Sequence, residues 1–151
     1  MLAPGDLAPD FALPDQTGTV VRLSELLARG PVVLFFYPAA MTTGCTAEAC
    51  NFRDLAAEFS QVGAQRVGIS TDSVDEQKAF ADRHAFDYPL LSDADREVAS
   101  AFGVRRRFGP SPVKRVTFVI GSDGVIIDAI SSELRMNKHA DDALAVLKLP
   151  R

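Results

Sequence analysis

Val32-Val33-Leu34-Phe35-Phe36-Tyr37-Pro38-Ala39-Ala40-Met41-Thr42-Thr43-Gly44-Cys45 is the stretch on which the fold turns. Its first six residues are apolar and β-prone without alternation, the pattern of a strand covered on both faces in an α/β sheet. Pro38 breaks the run. From Thr46 to Val62 the apolar residues Phe52, Leu55, Ala56 and Phe59 recur at the spacing of an amphipathic helix. A buried strand, a loop and a helix in that order put Cys45 where open α/β sheets place their sites, beyond the carboxyl ends of the strands.

Outward from this unit, Asp10 to Leu13 and Thr19 to Arg22 flank the turn Asp15-Gln16-Thr17-Gly18 and read as an N-terminal hairpin. Ser24 to Ala28 reads as a short helix. Beyond the long helix, Val67 to Ser70 is a strand, and Ser73 with Glu76 forms a capping-box signature opening a helix to about His84. Pro89 to Leu91 is a short strand and Asp95 to Phe102 a helix. Lys114 to Ile120 and Val125 to Ser131 are strands joined through Gly121-Ser122-Asp123-Gly124, and Ala140 to Leu147 closes the chain as a helix. Strands alternating with helices, then a late hairpin and helix, predict an α/β protein with a central mixed β-sheet flanked by helices. No repeat or linker divides the 151 residues, so one domain over 1–151 is expected.

Sixteen Lys and Arg against 20 Asp and Glu give a net charge of -4, which argues against a sequence-blind grip on nucleic acid or on an anionic membrane. The apolar run from Val32 is far short of a bilayer span, and the N-terminus has neither a basic nor an apolar leader region, so a cytoplasmic protein is expected. In that reducing compartment two cysteines are seldom a structural staple. His84 and His139 add little toward a four-ligand zinc site, and no Gly-rich phosphate loop is present, so no metal or cofactor is expected.

Chemistry therefore falls to the cysteines. A cysteine in a helix's first turn meets unpaired N–H groups and partial positive charge, which favour the nucleophilic thiolate. Cys50, five residues on, lies about 140° from Cys45 around the helix, with Cα atoms about 8.7 Å apart, beyond the roughly 7 Å limit for a disulfide. Cys45 shares the apolar stripe while Cys50 points toward solvent or a partner. Bridging the two requires the first turns of the helix to unwind.

Pro38-x-x-x-Thr42-x-x-Cys45 resembles the active-site motif of the peroxiredoxins. Phe36-Tyr37-Pro38 leading to Gly44-Cys45-Thr46-Ala47-Glu48-Ala49-Cys50 resembles their Q branch, the bacterioferritin comigratory proteins. Gly68 to Asp72, Tyr88 to Asp93 and Arg115 to Ile120 extend the likeness over nearly the whole chain. The resemblance implies a thioredoxin-like fold with an N-terminal β-hairpin extension, and a peroxidase acting on hydrogen peroxide and organic hydroperoxides. It makes Cys45 the peroxidatic residue and Cys50 the resolving one, joined in an intrachain disulfide that thioredoxin or a similar thiol reductant recycles. By the same likeness Arg115 polarises the peroxide and stabilises the thiolate, Thr42 hydrogen-bonds the substrate, Pro38 shields the pocket, and Glu48 orients Arg115. Thr43 departs from the proline usual in this branch, which loosens the first helical turn. A monomer is implied, with a dimer as the alternative.

A thiol-disulfide switch would favour a closer Cys-x-x-Cys pair, and an interaction or chaperone module would leave the match of Thr42, Cys45 and Arg115 without a reason. A cysteine hydrolase would need a histidine partner that neither His84 nor His139 suggests by its surroundings. Both histidines, with Asp141 and Asp142, are expected at the surface or at a helix start, and Arg105-Arg106-Arg107 in a solvated loop.

Overall fold

The computed structural model describes residues 1–150. Strands β1 (Ala12–Pro14) and β2 (Val20–Arg22) pair antiparallel as a two-stranded hairpin sheet, followed by helix α1 (Leu23–Leu27). The predicted buried strand is β3 (Val32–Phe36), whose five residues are all buried. Helices α2 (Thr43–Asp54) and α3 (Ala56–Gln61) lead to β4 (Gln65–Ser70), α4 (Val74–His84), β5 (Leu90–Ser92) and α5 (Glu97–Ala101). Strands β6 (Val116–Ile120) and β7 (Ile126–Ser131) and helix α6 (Met136–Lys148) complete the fold.

The central sheet has the order β5-β4-β3-β6-β7, with β3, β4 and β5 parallel and β6 and β7 antiparallel to their neighbours. This is the mixed α/β sheet the sequence implies, and it is thioredoxin-like. Period-two geometry in β3 splits its side chains between two cores. Val32, Leu34 and Phe36 join Ile69, Phe102 and Phe118 on one face. Val33, Phe35 and Tyr37 join Phe52, Phe59 and Phe80 on the other. Phe35 stacks on Phe52 of α2 with centroids 4.1 Å apart, and burial of such a ring is worth about 1.5–3 kcal/mol. That contact seats α2, and with it Cys45, against the sheet.

Several element boundaries differ from expectation, and those next to the site matter most. The helix predicted as continuous from Thr46 to Val62 begins at Thr43 and breaks at Leu55. Beside the break the Phe52 carbonyl accepts a hydrogen bond from the Arg66 guanidinium at 2.9 Å, an interaction from a distant strand that periodicity does not report. The strand expected from Lys114 starts at Val116, so Arg115 lies just ahead of β6. The last helix starts at Met136, four residues earlier than Ala140. The Ser73–Glu76 capping box is formed at α4 as read from the sequence.

The N-terminal segment guards both rims of the sheet. The Gln16 side-chain amide donates to the Tyr88 carbonyl at 3.1 Å and accepts from the Leu90 N–H at 2.8 Å, imitating a strand rung on β5. Along the other rim, Leu7 bridges Val125 antiparallel, and Ile126 N–H donates to the Asp6 carbonyl at 2.9 Å.

Candidate active site

Cys45 is the third residue of α2 and is 1% exposed, on the face of the helix that also buries Glu48, Ala49 and Phe52. Thr42 occupies the N-cap position, yet its side chain makes no cap bond; its hydroxyl donates to the Ala39 carbonyl at 2.8 Å. The first helical N–H groups, which have no intrahelical acceptors, thus keep their capacity for a ligand. No acidic residue lies in that turn to compete for its positive end.

Arg115 reaches across from the start of β6. Its Nη2 donates to the Cys45 sulfur at 3.3 Å and its Nη1 to Glu48 Oε1 at 3.0 Å. Its backbone N–H donates to Glu133 Oε1 at 3.1 Å, so backbone and side chain are both fixed. A Cβ at Gly44 would stand 3.3 Å from Arg115 Nη2 and 3.5 Å from Met136 Sδ, so a side chain there would press the guanidinium a few tenths of an ångström from its place. The Arg115–Glu48 pair is buried, and removing one partner of such a pair costs about 3–5 kcal/mol because the other charge stays behind.

Burial pushes the Glu48 carboxyl up to about 8, against the opposite pull of the Arg115 charge and hydrogen bond. Burial alone would lower the Arg115 pKa, but the charges of Glu48 and Cys45 outweigh it and raise it. Glu48 Oε2 is buried without a hydrogen-bond partner. The guanidinium is thereby held as a fixed cation against the sulfur, in surroundings where a localised charge acts strongly.

The loop before the helix is tied down from β4. Ala40 N–H donates to Asp72 Oδ2 at 2.7 Å, and Met41 adopts φ 66°, the left-handed region that a non-glycine residue occupies only when its surroundings dictate it. Pro38 and Ala39, both half-buried, connect β3 to this loop.

Cys50 is half-buried rather than directed freely to solvent, and it packs at the margin of the second core. Both cysteines are free thiols on one unbroken helix. Between them, the Ala49 carbonyl accepts from the Tyr88 hydroxyl at 2.6 Å.

Cys45, Arg115, Glu48 and Thr42 thus gather around one helix terminus, with Pro38 at the start of the loop that leads to it and Cys50 further along the same helix. His139 lies in the first turn of α6, so the expected helix-start placement stands, while a surface placement does not. It is fully buried, its ring bonded to Thr117 and Ser132 and 3.4 Å from Glu48. The sequence signal was the stripe His139, Ala140, Ala143, Leu144, all of them buried, which begins with the histidine. Asp72 and Gly44 stand within the motifs, but their contacts arise only in the fold.

A thiol held against a guanidinium at the head of a helix, on a thioredoxin-like sheet, defines the class of thiol peroxidases. The chain belongs to the AhpC/TSA family, which matches residues 4–129. It is similar over its whole length to the crystal structure of the peroxidoxin BcpB from Mycobacterium tuberculosis, at 61% identity and a TM-score of 0.96, with 99% of that chain covered. Peroxiredoxin Q from Sedum lineare is 41% identical over 95% of this chain and 77% of its own length. Peroxiredoxin Bcp of Escherichia coli is 38% identical, over 97% of this chain and 96% of its own. This membership makes the chain a thiol-dependent peroxidase of the Bcp and Q type.

Proposed function

We propose that Cys45 is the peroxidatic residue and Cys50 the resolving residue of this peroxidase, in a single domain over residues 1–151. The observation that carries the assignment is the 3.3 Å approach of Arg115 Nη2 to the Cys45 sulfur at the uncapped head of α2. The thiolate attacks one oxygen of a hydroperoxide; an S–O bond forms, the O–O bond breaks, and the electron pair leaves on the distal oxygen, which takes a proton and departs as water or an alcohol. Arg115 stabilises the charge on sulfur before the step and on the leaving oxygen during it. Thr42 holds the peroxide through its hydroxyl together with the Cys45 N–H, and Pro38 keeps bulk water from the sulfur. Glu48 orients the guanidinium.

The Cys50 thiolate then attacks the sulfenic sulfur, an S–S bond forms, and the hydroxyl leaves as water. Two thiols of thioredoxin or a similar reductant return the pair to the free state. The cycle needs no cofactor, nucleic acid or membrane, and we place the protein in the cytoplasm as a monomer; no helix among the described residues is long and apolar enough to cross a membrane.

Intact mass after one equivalent of hydrogen peroxide tests the roles. The expected results are loss of two hydrogens in wild type, gain of one oxygen in Cys50→Ser, and no change in Cys45→Ser. Catalytic peroxide consumption by Cys45→Ser would overturn the assignment.

A further inference from the structure

His139 is a buried ionisable group beside the site that the mechanism above leaves unused. It lies in the first turns of α6, 0% exposed, and each ring nitrogen has a partner. Nε2 is 2.8 Å from the Ser132 carbonyl, which can only accept, so Nε2 carries the proton. Burial, reinforced by the positive charge of Arg115, holds the imidazole pKa below its ordinary value, so the ring is neutral. Nδ1 then accepts from the Thr117 hydroxyl at 2.8 Å, and the tautomer is fixed from both sides. The same Nε2 stands 3.4 Å from Glu48 Oε2, the buried carboxyl oxygen that no hydrogen bond satisfies.

The contacts form one chain: Thr117 to His139, His139 against Glu48, Glu48 to Arg115, Arg115 to the Cys45 sulfur. We propose that His139 is a positioning residue for peroxide reduction, a neutral imidazole locked by Thr117 and Ser132 that backs Glu48 and thereby sets the Arg115 guanidinium on Cys45. The inference rests on the peroxidatic role given to Cys45.

The physical content is directional. An N–H edge beside Oε2 works against the burial that raises the Glu48 pKa and resists rotation of the carboxyl, so Oε1 stays on Arg115 Nη1. A neutral ring does this without adding a second cation that would draw Glu48 away from Arg115. Fixing the tautomer matters because the other tautomer would replace the N–H that faces Oε2 with a lone pair, removing the donor from that edge. Groups that hold a ligand's partner in this way act through orientation, and their removal is felt at the reacting atom without any contact to it.

The test is a double-mutant cycle on the single-turnover oxidation of Cys45 by hydrogen peroxide, followed by rapid quench and intact mass in a Cys50→Ser background. His139→Leu is expected to slow the step about tenfold, and less than about twofold when Glu48→Gln is already present, since coupled residues are non-additive. His139→Gln, whose amide N–H can reach the Nε2 position, is expected to recover most of the loss. Thr117→Val removes only the hydroxyl that fixes Nδ1 and keeps the core volume; it is expected to slow the step about threefold, with the same dependence on Glu48. Equal factors with and without Glu48→Gln, for His139→Leu or for Thr117→Val, overturn the inference. Undiminished peroxide consumption by Cys45→Ser would instead overturn the peroxidase assignment itself, so the two failures are distinct.

Discussion

Arg115 does two things with one planar group, touching Glu48 through Nη1 and the Cys45 sulfur through Nη2. A lysine ammonium carries the charge without the fork, so it can serve one partner at a time. Arg115→Lys is therefore expected to lower the second-order rate constant for hydrogen peroxide by about 10²-fold, the scale of losing one preorganised donor, measured by competition with a second peroxidase. The candidate residues Cys45, Thr42 and Pro38 were legible because they fall within eight consecutive positions. Arg115 was legible as a charge adjoining an apolar strand. His139 was not, because a histidine declares its role only through partners that lie 7 and 22 residues away, at Ser132 and Thr117.

At the level of elements, α2 supports the sulfur and, in the proposed resolving step, is the piece that must open for Cys45 to meet Cys50. The Tyr88 hydroxyl clamps the Ala49 carbonyl in the turn between them. Such a bond contributes about 1 kcal/mol net, so Tyr88→Phe is expected to speed disulfide formation from the sulfenic acid about fivefold while leaving sulfenic acid formation unchanged. Rapid quench with mass detection resolves the two phases, and equal disulfide rates in both proteins would refute the clamp. Strand β3 and its two-sided burial followed directly from an unbroken apolar run, since that pattern has few other uses in an α/β sheet. The halt at Leu55 escaped notice because apolar spacing continues through it to Phe59, and the Arg66 guanidinium at the Phe52 carbonyl is a contact between elements.

Across the whole molecule, the buried acid and the buried imidazole give stability opposite slopes with pH. The Glu48 carboxyl rises from 4.5 to about 8, so between those values the folded chain keeps a proton that the unfolded chain has lost, and stability falls as pH rises. The His139 pKa is depressed below 6.5, so under that pH the unfolded chain takes up a proton that the folded one refuses, and stability falls as pH falls. Urea midpoints at pH 5 and pH 8 are expected to show wild type losing ground to Glu48→Gln between the two, on the physics of that linkage. A parallel pH dependence in both proteins would place the raised carboxyl elsewhere. The overall architecture was readable from the alternation of strands and helices, while the way α6 delivers a histidine to the back of the site depended on where that helix begins.

An amide from Gln16 finishes the β5 rim, and the Asp6–Leu7 segment finishes the β7 rim. Lateral recruitment of a foreign strand is thereby opposed at these rungs, since the donors and acceptors of Leu90, Tyr88 and Ile126 already have partners. Selection on the first twenty or so residues can accordingly concern colloidal behaviour more than turnover: a change there would leave every reacting group in place and still alter whether crowded copies remain apart.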